Sequence, residues 1–140
     1  MARNCRFTAA VHVCAVLASH PDEDVTSDYV AASLNTNPVV VRRLLSALGA
    51  AGLAHAKRGS AGGYRLARAA AEIDLAEIAA AVDDDDGPAF APNPPNPACI
   101  VGRGIKPALA GFLARAEAAK RAELARVSLA EVMARVFAVV

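Results

Sequence analysis

The sequence predicts a mainly α-helical fold with one small β-hairpin. Hydrophobic residues make up 55% of the 140 residues but aromatic residues only 4%, so Ala, Val, Leu and Ile must build the core, which suits closely packed helices. Apolar residues recur at helical spacing in most segments. The exception is residues 53–68, LAHAKRGSAGGYRLAR, which alternate on both sides of a glycine-rich tip, as hairpin strands do. The length allows one domain with an appended helix.

Two helices are predicted at the start of the chain. The first spans residues 6–18, and its apolar face contains Phe7, Ala10, Val11, Cys14 and Leu17. The second follows a capping Thr26 or Ser27 and runs to Leu34, with Tyr29, Val30 and Leu34 pointing inward.

The third predicted helix runs from Pro38 to about Ala50. Asn37 can accept the free N–H groups of its first turn, and proline loses nothing at the first helical position. Its buried face is predicted to contain Val41, Leu44, Leu45 and Leu48. Gly52 then provides a left-handed stop.

A capping-box pattern, Asp74-x-x-Glu77, starts a fourth helix after the hairpin. The run Asp83–Asp86 opposes the helix dipole at its end, and we interpret it as a solvated run rather than a metal site. Residues 87–104 contain five prolines and form a predicted loop. The loop is long for a compact domain, so we expect it to be either functional or mobile.

The C-terminal part is predicted to be helical again. Pro107 opens a long helix that reaches about Arg126, and a second capping box, Ser128-x-x-Glu131, starts a short last helix.

The order of these elements is that of a winged helix-turn-helix. In that arrangement helix three enters the major groove of DNA and the hairpin forms the wing. The three glycines at 59, 62 and 63 would let the backbone approach a phosphate closely. Arg58 could reach a narrow minor groove, where an arginine gains most from the negative potential.

Simpler interpretations of the hairpin stay open. A glycine-rich hairpin is often only a tight turn, and the pair Lys57–Arg58 could be a solvated surface. A phosphate loop of the nucleotide-binding type is disfavoured, because no Gly-Lys-Ser/Thr follows and the glycines lie between strands.

The charge distribution favours a polyanionic partner for the first half of the chain only. The net charge is +1, but residues 1–70 contain eight Lys or Arg against four acidic residues, whereas residues 71–140 contain seven against ten. No apolar run is long enough to cross a membrane. The basic, apolar start resembles a signal peptide superficially, but His12 interrupts it and no cleavage site follows. We therefore expect a soluble, cytoplasmic protein.

Two stretches resemble a known family of bacterial transcription factors. These are NTNPVVVRRLLSALGAAGLAHAKRGSAGGYRLAR, residues 35–68, and EIDLAEIAAAVD, residues 72–83. They are similar to the DNA-binding module of the Rrf2-type regulators, to which IscR, NsrR and CymR belong. The segment NPVVVRRLL most resembles the branch of this family that has no iron–sulfur cluster. The resemblance implies a homodimer in which the long helix crosses its partner, and an inverted-repeat operator with half-sites about one helical turn apart.

The resemblance also implies which residues contact DNA. They lie at the start of helix three and in the wing: Asn37, Val39, Val40, Arg42, Arg43, Lys57, Arg58, Gly59, Ser60, Gly62 and Gly63. Where some relatives carry a base-reading glutamate, this chain has Arg42, for which guanine is the natural bidentate partner.

The cysteines do not match the cluster-binding relatives. Those proteins place three cysteines in the loop before the long helix, whereas this loop contains only Cys99. One thiolate cannot hold a cluster that usually needs four ligands, so no cofactor and no metal are expected. Cys99 is a candidate thiol sensor near Arg103 and Lys106, but the favoured role is packing, because free cysteines are mostly buried. A Cys5–Cys99 disulfide would require the N-terminus to fold under the loop.

These observations give one leading hypothesis. The chain is a sequence-specific DNA-binding transcriptional regulator, with repression the expected direction and a small-molecule or redox effector unidentified. Residues 1–82 form the winged helix-turn-helix, 83–104 the proline-rich sensor loop, and 105–140 the dimerisation helix and last helix. The alternative is a winged-helix protein-interaction module without DNA binding. An enzyme is disfavoured, because no nucleophile–base pair, acid pair or metal set has recognisable spacing.

The absence of a cluster has a direct spectroscopic test. Protein purified under anaerobic conditions should show no visible charge-transfer absorption above the protein band, because the loop supplies one thiolate. Iron bound in stoichiometric amount would contradict this prediction.

Overall fold

Six helices and one hairpin follow each other in a computed structural model that describes residues 3–83 and 90–140. The elements are α1 (Arg3–Ala18), α2 (Ser27–Leu34), α3 (Pro38–Ala50), β1 (Ala54–Lys57), β2 (Gly63–Leu66), a 3-10 turn (Ala70–Glu72), α4 (Leu75–Val82), α5 (Ile100–Leu124) and α6 (Leu129–Val139). The mainly helical fold with a two-stranded hairpin is confirmed. Asp84–Asp86 and the first part of the predicted loop, residues 87–89, lie outside the described residues.

The helix-turn-helix is fixed by local capping. The hydroxyl of Thr26 accepts a hydrogen bond from the backbone N–H of Tyr29 at 3.1 Å and so caps α2. Asn35 ends α2 in the left-handed conformation with φ 54°. The side chain of Asn37 accepts from the N–H of Val39 at 2.8 Å, with Pro38 at the first position of α3, as the sequence predicts.

One hydrophobic core joins α1–α4, the hairpin and the start of α6. The predicted face of α3 is buried, and the core residues of the described part are Ala10, Val13, Cys14, Val16, Leu17, Val25, Val30, Ala31, Val41, Leu44, Leu45, Leu48, Leu53, Ala54, Ile73, Ile78, Val82 and Leu129. Burial raises the pKa of the Cys14 thiol to about 12, so this cysteine is a neutral core residue. The inward placement of Tyr29 is wrong, since its side chain is 53% exposed, whereas Val30 and Ala31 are buried in the core and Leu34 packs against it.

The hairpin has a third backbone partner in the loop between α1 and α2. The strands pair antiparallel, with Lys57 opposite Gly63. On the other edge of β2, Val25 and Tyr64 exchange two backbone hydrogen bonds of 3.0 and 2.8 Å. The hairpin is therefore attached along β2 to the body of the domain.

The glycines of the hairpin serve its internal packing. A Cβ on Gly62 would lie 2.1 Å from the carbonyl oxygen of Lys57, and one on Gly63 would lie 2.8 Å from that of Val25. Both positions therefore exclude any side chain. Gly59 differs, because it needs a positive φ of 115° while the space around it is open.

Both predicted capping boxes are present, and they lie close together. Asp74 and Glu77 cap α4 reciprocally, and Ser128 and Glu131 do the same for α6. The N–H of Asp74 and then the guanidinium of Arg68 hold the pKa of Glu77 below its usual range.

The end of α5 returns to the domain body beside α4. The N–H of Leu129 donates to the carbonyl of Ile73 at 2.8 Å, and that of Leu75 donates to Val127 at 3.0 Å. The chain leaving α5 is thereby paired with the segment that enters α4.

The predicted start of the long helix is wrong by seven residues, because α5 begins at Ile100 rather than Pro107. The residues before it form a turn in which the side chain of Asn96 accepts from the N–H of Ala98 at 2.9 Å, and Cys99 occupies the N-cap position of α5 without a side-chain capping bond. Pro107 lies inside the helix and cannot donate to the carbonyl of Arg103, which is exposed and accessible to water. The last five residues of the predicted 83–104 loop are therefore helical.

A single stripe of apolar residues runs along α5. The helix has 25 residues and no fully buried side chain among them. At about 100° per residue, its large exposed apolar residues other than Ile100 fall within about 80° of each other: Val101, Ile105, Leu109 and Phe112. The other residues that the structure describes leave this stripe exposed to solvent.

Close packing at Gly62 makes a stability prediction. Gly62→Ala should lower the free energy of unfolding by about 1–3 kcal/mol, because the added methyl overlaps the Lys57 carbonyl. Ser60→Ala, at the exposed tip of the same hairpin, should change it by less than about 0.5 kcal/mol. Urea denaturation followed by circular dichroism measures both, and equal midpoints for the two variants would contradict the packing argument.

Candidate nucleic-acid interface

The start of α3 presents one face to solvent while its other face fills the core. Val39 is 45% exposed, and Arg42 and Arg43 are exposed next to the buried Val41 and Leu44. Val40 is half-buried and packs against the core. Because the buried face fixes the rotation of α3, the direction of the two arginines is fixed as well.

Arg42 connects the first turns of the two helices of the helix-turn-helix. Its Nη1 lies 3.4 Å from the hydroxyl oxygen of Ser27, the first residue of α2. Ser27 is half-buried at this junction. The sequence analysis considered Ser27 only as a cap, and the packing of α2 on α3 gives it this second contact.

A shallow groove separates α3 from the hairpin and joins their surfaces. It has a volume of about 260 Å³ and is lined from both sides by Arg42, Leu45, Ser46, Gly49, Ala54, His55, Ala56 and Tyr64. The exposed arginines of α3 and the outer face of β1 therefore belong to one continuous surface.

The predicted wing residues fall into two groups. Arg58, Gly59 and Ser60 are exposed at the tip, and among the described residues Arg58 has no hydrogen-bond or ion-pair partner. Gly62 and Gly63 are half-buried and buried, so they shape the wing from inside.

Lys57 also forms an ion pair with Asp24, an acidic residue that is not among the predicted site residues. Its Nζ lies 3.7 Å from a carboxylate oxygen of Asp24 and its side chain stays 66% exposed. Arg65 donates from Nε to the same carboxylate at 2.7 Å. The acidic turn DED before Val25 could have indicated a partner for basic residues, but its pairing with Lys57 and Arg65 depends on tertiary structure.

This surface suits an anionic duplex. Guanidinium groups bind phosphate and the edge of guanine with two hydrogen bonds, and an exposed valine can contact the methyl group of thymine. A narrow basic tip such as Arg58 on the wing fits the minor groove.

The cysteines and histidines lie apart. Cys5 and Cys99 are exposed, and Cys14 is buried. Cys99 occupies the position before α5 without making a side-chain capping bond. The favoured packing role is therefore not seen within the single chain. His12 pairs with Ser33 at 2.9 Å on the helical surface.

No helix in the described ranges is long and apolar enough to cross a membrane.

Comparison with known proteins places these features in a family. The Rrf2 family, described as iron-dependent transcriptional regulators, matches residues 3–135. The Bacillus subtilis (strain 168) protein YwnA, whose name describes an HTH-type transcriptional regulator, is 36% identical over 134 residues, which cover 96% of this chain and 98% of YwnA.

Two solved structures share the fold. A Lactobacillus plantarum protein described as a transcriptional regulator has a TM-score of 0.75 at 27% identity, covering 94% of this chain and 89% of its own. A protein described as DNA-binding has a TM-score of 0.71 at 34% identity, covering 91% and 98%.

The iron in the family description does not fit the residues described. Within the described residues, 3–83 and 90–140, no group of three or more His, Cys, Asp or Glu side chains is placed so that it could hold a metal ion. Cys14 is a buried neutral thiol and cannot serve as a thiolate ligand without leaving the core. The expected lack of a cluster stays a prediction.

The match over residues 3–135, the identity to YwnA and the winged helix-turn-helix geometry lead to one conclusion: the chain belongs to the Rrf2 family and is a transcriptional regulator, not an enzyme.

Proposed function

We propose that this protein is a homodimeric repressor that binds an inverted-repeat operator. The observation that carries the proposal is the exposure of Arg42, Arg43 and Val39 at the start of α3 and of Arg58 on the wing, with a shallow groove lined by Arg42 and by residues of β1 between the two elements. A regulator with this surface acts at the chromosome, so we propose a location in the bacterial nucleoid.

The start of α3 supplies the base contacts in this proposal. Asn37 caps the helix with its own side chain, so its neighbours rather than Asn37 itself reach the bases. Arg42 reads guanine through two hydrogen bonds, Val39 contacts a thymine methyl, and Arg43 binds phosphate. Val40 is half-buried and supports Val39 from behind.

The wing supplies a sequence-tolerant contact. Arg58 is free to enter the minor groove beside the half-site, while Gly59 and Ser60 let the tip follow the backbone. Lys57 remains exposed enough to contact a phosphate. Gly62 and Gly63 contribute by holding the tip in shape.

The uncovered stripe of α5 supplies the dimer contact. Val101, Ile105, Leu109 and Phe112 are 64%, 38%, 37% and 62% exposed. A second copy of the same helix crossing over the stripe would bury it and form a two-fold interface. Two wings and two copies of α3 would then face half-sites about one helical turn apart.

An effector would act through the same helices. A ligand, or a modified Cys99 at the start of α5, that changed the crossing angle would change the spacing of the two α3 helices. A few kcal/mol of differential affinity would switch operator occupancy.

Removing the wing arginine tests the DNA surface. Arg58→Ala should weaken binding to a duplex selected by the wild-type protein about tenfold and reduce the salt slope by about one. Arg135→Ala, which removes an exposed arginine on α6, is the control and should bind as wild type. Gel-shift titrations at several salt concentrations measure this, with sedimentation showing that dimerisation is intact. A wild-type protein without duplex affinity at low salt would favour the protein-interaction module instead.

A charge in the α5 stripe tests the dimer. Phe112→Glu should give monomers in analytical ultracentrifugation and lose operator affinity, because it would bury two carboxylates at the two-fold interface. Ala114→Glu adds the same charge on the opposite face of α5 and should leave the dimer unchanged. Monomeric wild-type protein that still bound a palindrome would contradict the dimer proposal.

A further inference from the structure

The loop between α1 and α2 contacts the wing through one carboxylate, that of Asp24, in addition to the backbone hydrogen bonds between Val25 and Tyr64. We infer that Asp24 is a positioning residue that holds the wing in the direction DNA binding requires. The inference rests on the proposed function, because it concerns how the wing meets the duplex. Asp24 itself lies behind the wing and is not assigned a DNA contact.

Asp24 contacts both strands of the hairpin. Its Oδ1 accepts from the Nε of Arg65 on β2 at 2.7 Å, and its Oδ2 lies 3.7 Å from the Nζ of Lys57 on β1. Because Lys57 is opposite Gly63, it lies diagonally across from Arg65 on the same face of the hairpin. One side chain therefore bridges the two strands and fixes them to the loop.

A second hydrogen bond orients the arginine. Nη2 of Arg65 donates to the backbone carbonyl of Asp22 at 3.2 Å. The guanidinium thus contacts a side chain and a main-chain carbonyl of the same loop. Such a two-point contact sets a direction, which a single surface ion pair does not do.

The main chain around Asp24 leaves the base of the wing little freedom. Val25 exchanges two backbone hydrogen bonds with Tyr64, and Gly63 packs so closely on Asp24 and Val25 that a Cβ would lie 2.9 Å from the carbonyl carbon of Asp24. The carboxylate is 14% exposed at this junction. The hydrogen bond from Arg65 holds the pKa of Asp24 below its usual range. The carboxylate is therefore ionised at neutral pH.

An acidic residue beside a DNA-binding wing would be unfavourable for affinity alone. A carboxylate there repels phosphate, so its removal should increase non-specific attraction to any duplex. A loosened wing would have to become ordered on binding, which costs conformational entropy. This cost weakens binding to the operator more than non-specific binding, because only the operator complex requires the wing in one orientation. Asp24 should therefore improve discrimination at the expense of general affinity.

The experiment compares two duplexes and two neutralised acids. Asp24→Asn keeps the size of the side chain and removes its charge, and Asp28→Asn removes an exposed acid in the first turn of α2 as the matched control. Each protein is titrated with the duplex that wild type selects from a random pool and with a scrambled duplex of equal length and composition. The measured quantity is the ratio of the two affinities.

For Asp24→Asn we expect the affinity ratio to fall about tenfold, with operator affinity lower and scrambled-duplex affinity equal or higher. For Asp28→Asn both affinities should rise together and the ratio should stay constant. A smaller fraction of folded protein lowers both affinities in proportion, so it cannot by itself change the ratio. An unchanged ratio in a partly unfolded variant would therefore also overturn the inference. An unchanged ratio in stable Asp24→Asn protein would overturn it as well.

The partner residue, Arg65, gives a second check on the same contact. Arg65→Gln removes the other partner of the same ion pair. In the double variant, the ratio of operator affinity to scrambled-duplex affinity should fall no further than in either single variant. Additive losses would show that the two residues act separately and would overturn the inference. Faster amide exchange at Tyr64 in both single variants, measured without DNA, is expected from a loosened wing.

Failure of the inference is distinguishable from failure of the proposed function. Wild-type protein that binds no duplex at low salt overturns both. Wild-type protein that prefers its selected duplex, together with variants of unchanged ratio, overturns only the role of Asp24.

Discussion

The burial of one face of α3 is the constraint on which the rest of the structure depends. Four side chains, Val41, Leu44, Leu45 and Leu48, are almost completely removed from water against α1, α2 and α4. A helix of 13 residues would have little stability alone, so this burial both forms α3 and fixes its rotation. Arg42 and Arg43 point toward solvent as a consequence of this burial.

The wing depends on a different kind of constraint, namely close approach of backbones. Gly62 and Gly63 admit no side chain, because carbonyl oxygens of Lys57 and Val25 occupy that space. Sequence reasoning assigned these glycines to contact with a phosphate. Their role in the structure is internal, whereas the tip of the wing presents the exposed Arg58 and Gly59 with its positive φ.

Features determined by neighbouring residues were predictable from the sequence. Asn37 with Pro38 starts α3, and both capping boxes form as expected, because each involves atoms within four residues. The start of α5 was missed because the prolines before it suggested a loop and Cys99, at the N-cap position, makes no side-chain capping bond. The pairing of Asp24 with Arg65 spans 41 residues, and no local pattern reports such a distance. The uncovered stripe of α5 is visible as a periodic pattern, but the sequence does not show that nothing in the same chain covers it.

The junction that follows α5 has a mechanical consequence. Hydrogen bonds from Leu129 to Ile73 and from Leu75 to Val127 tie the exit of the long helix to the entry of α4 without an intervening flexible linker. A rotation of α5 relative to α4 would therefore have to break or distort these backbone hydrogen bonds, which makes the connection stiffer than an unpaired linker of the same length.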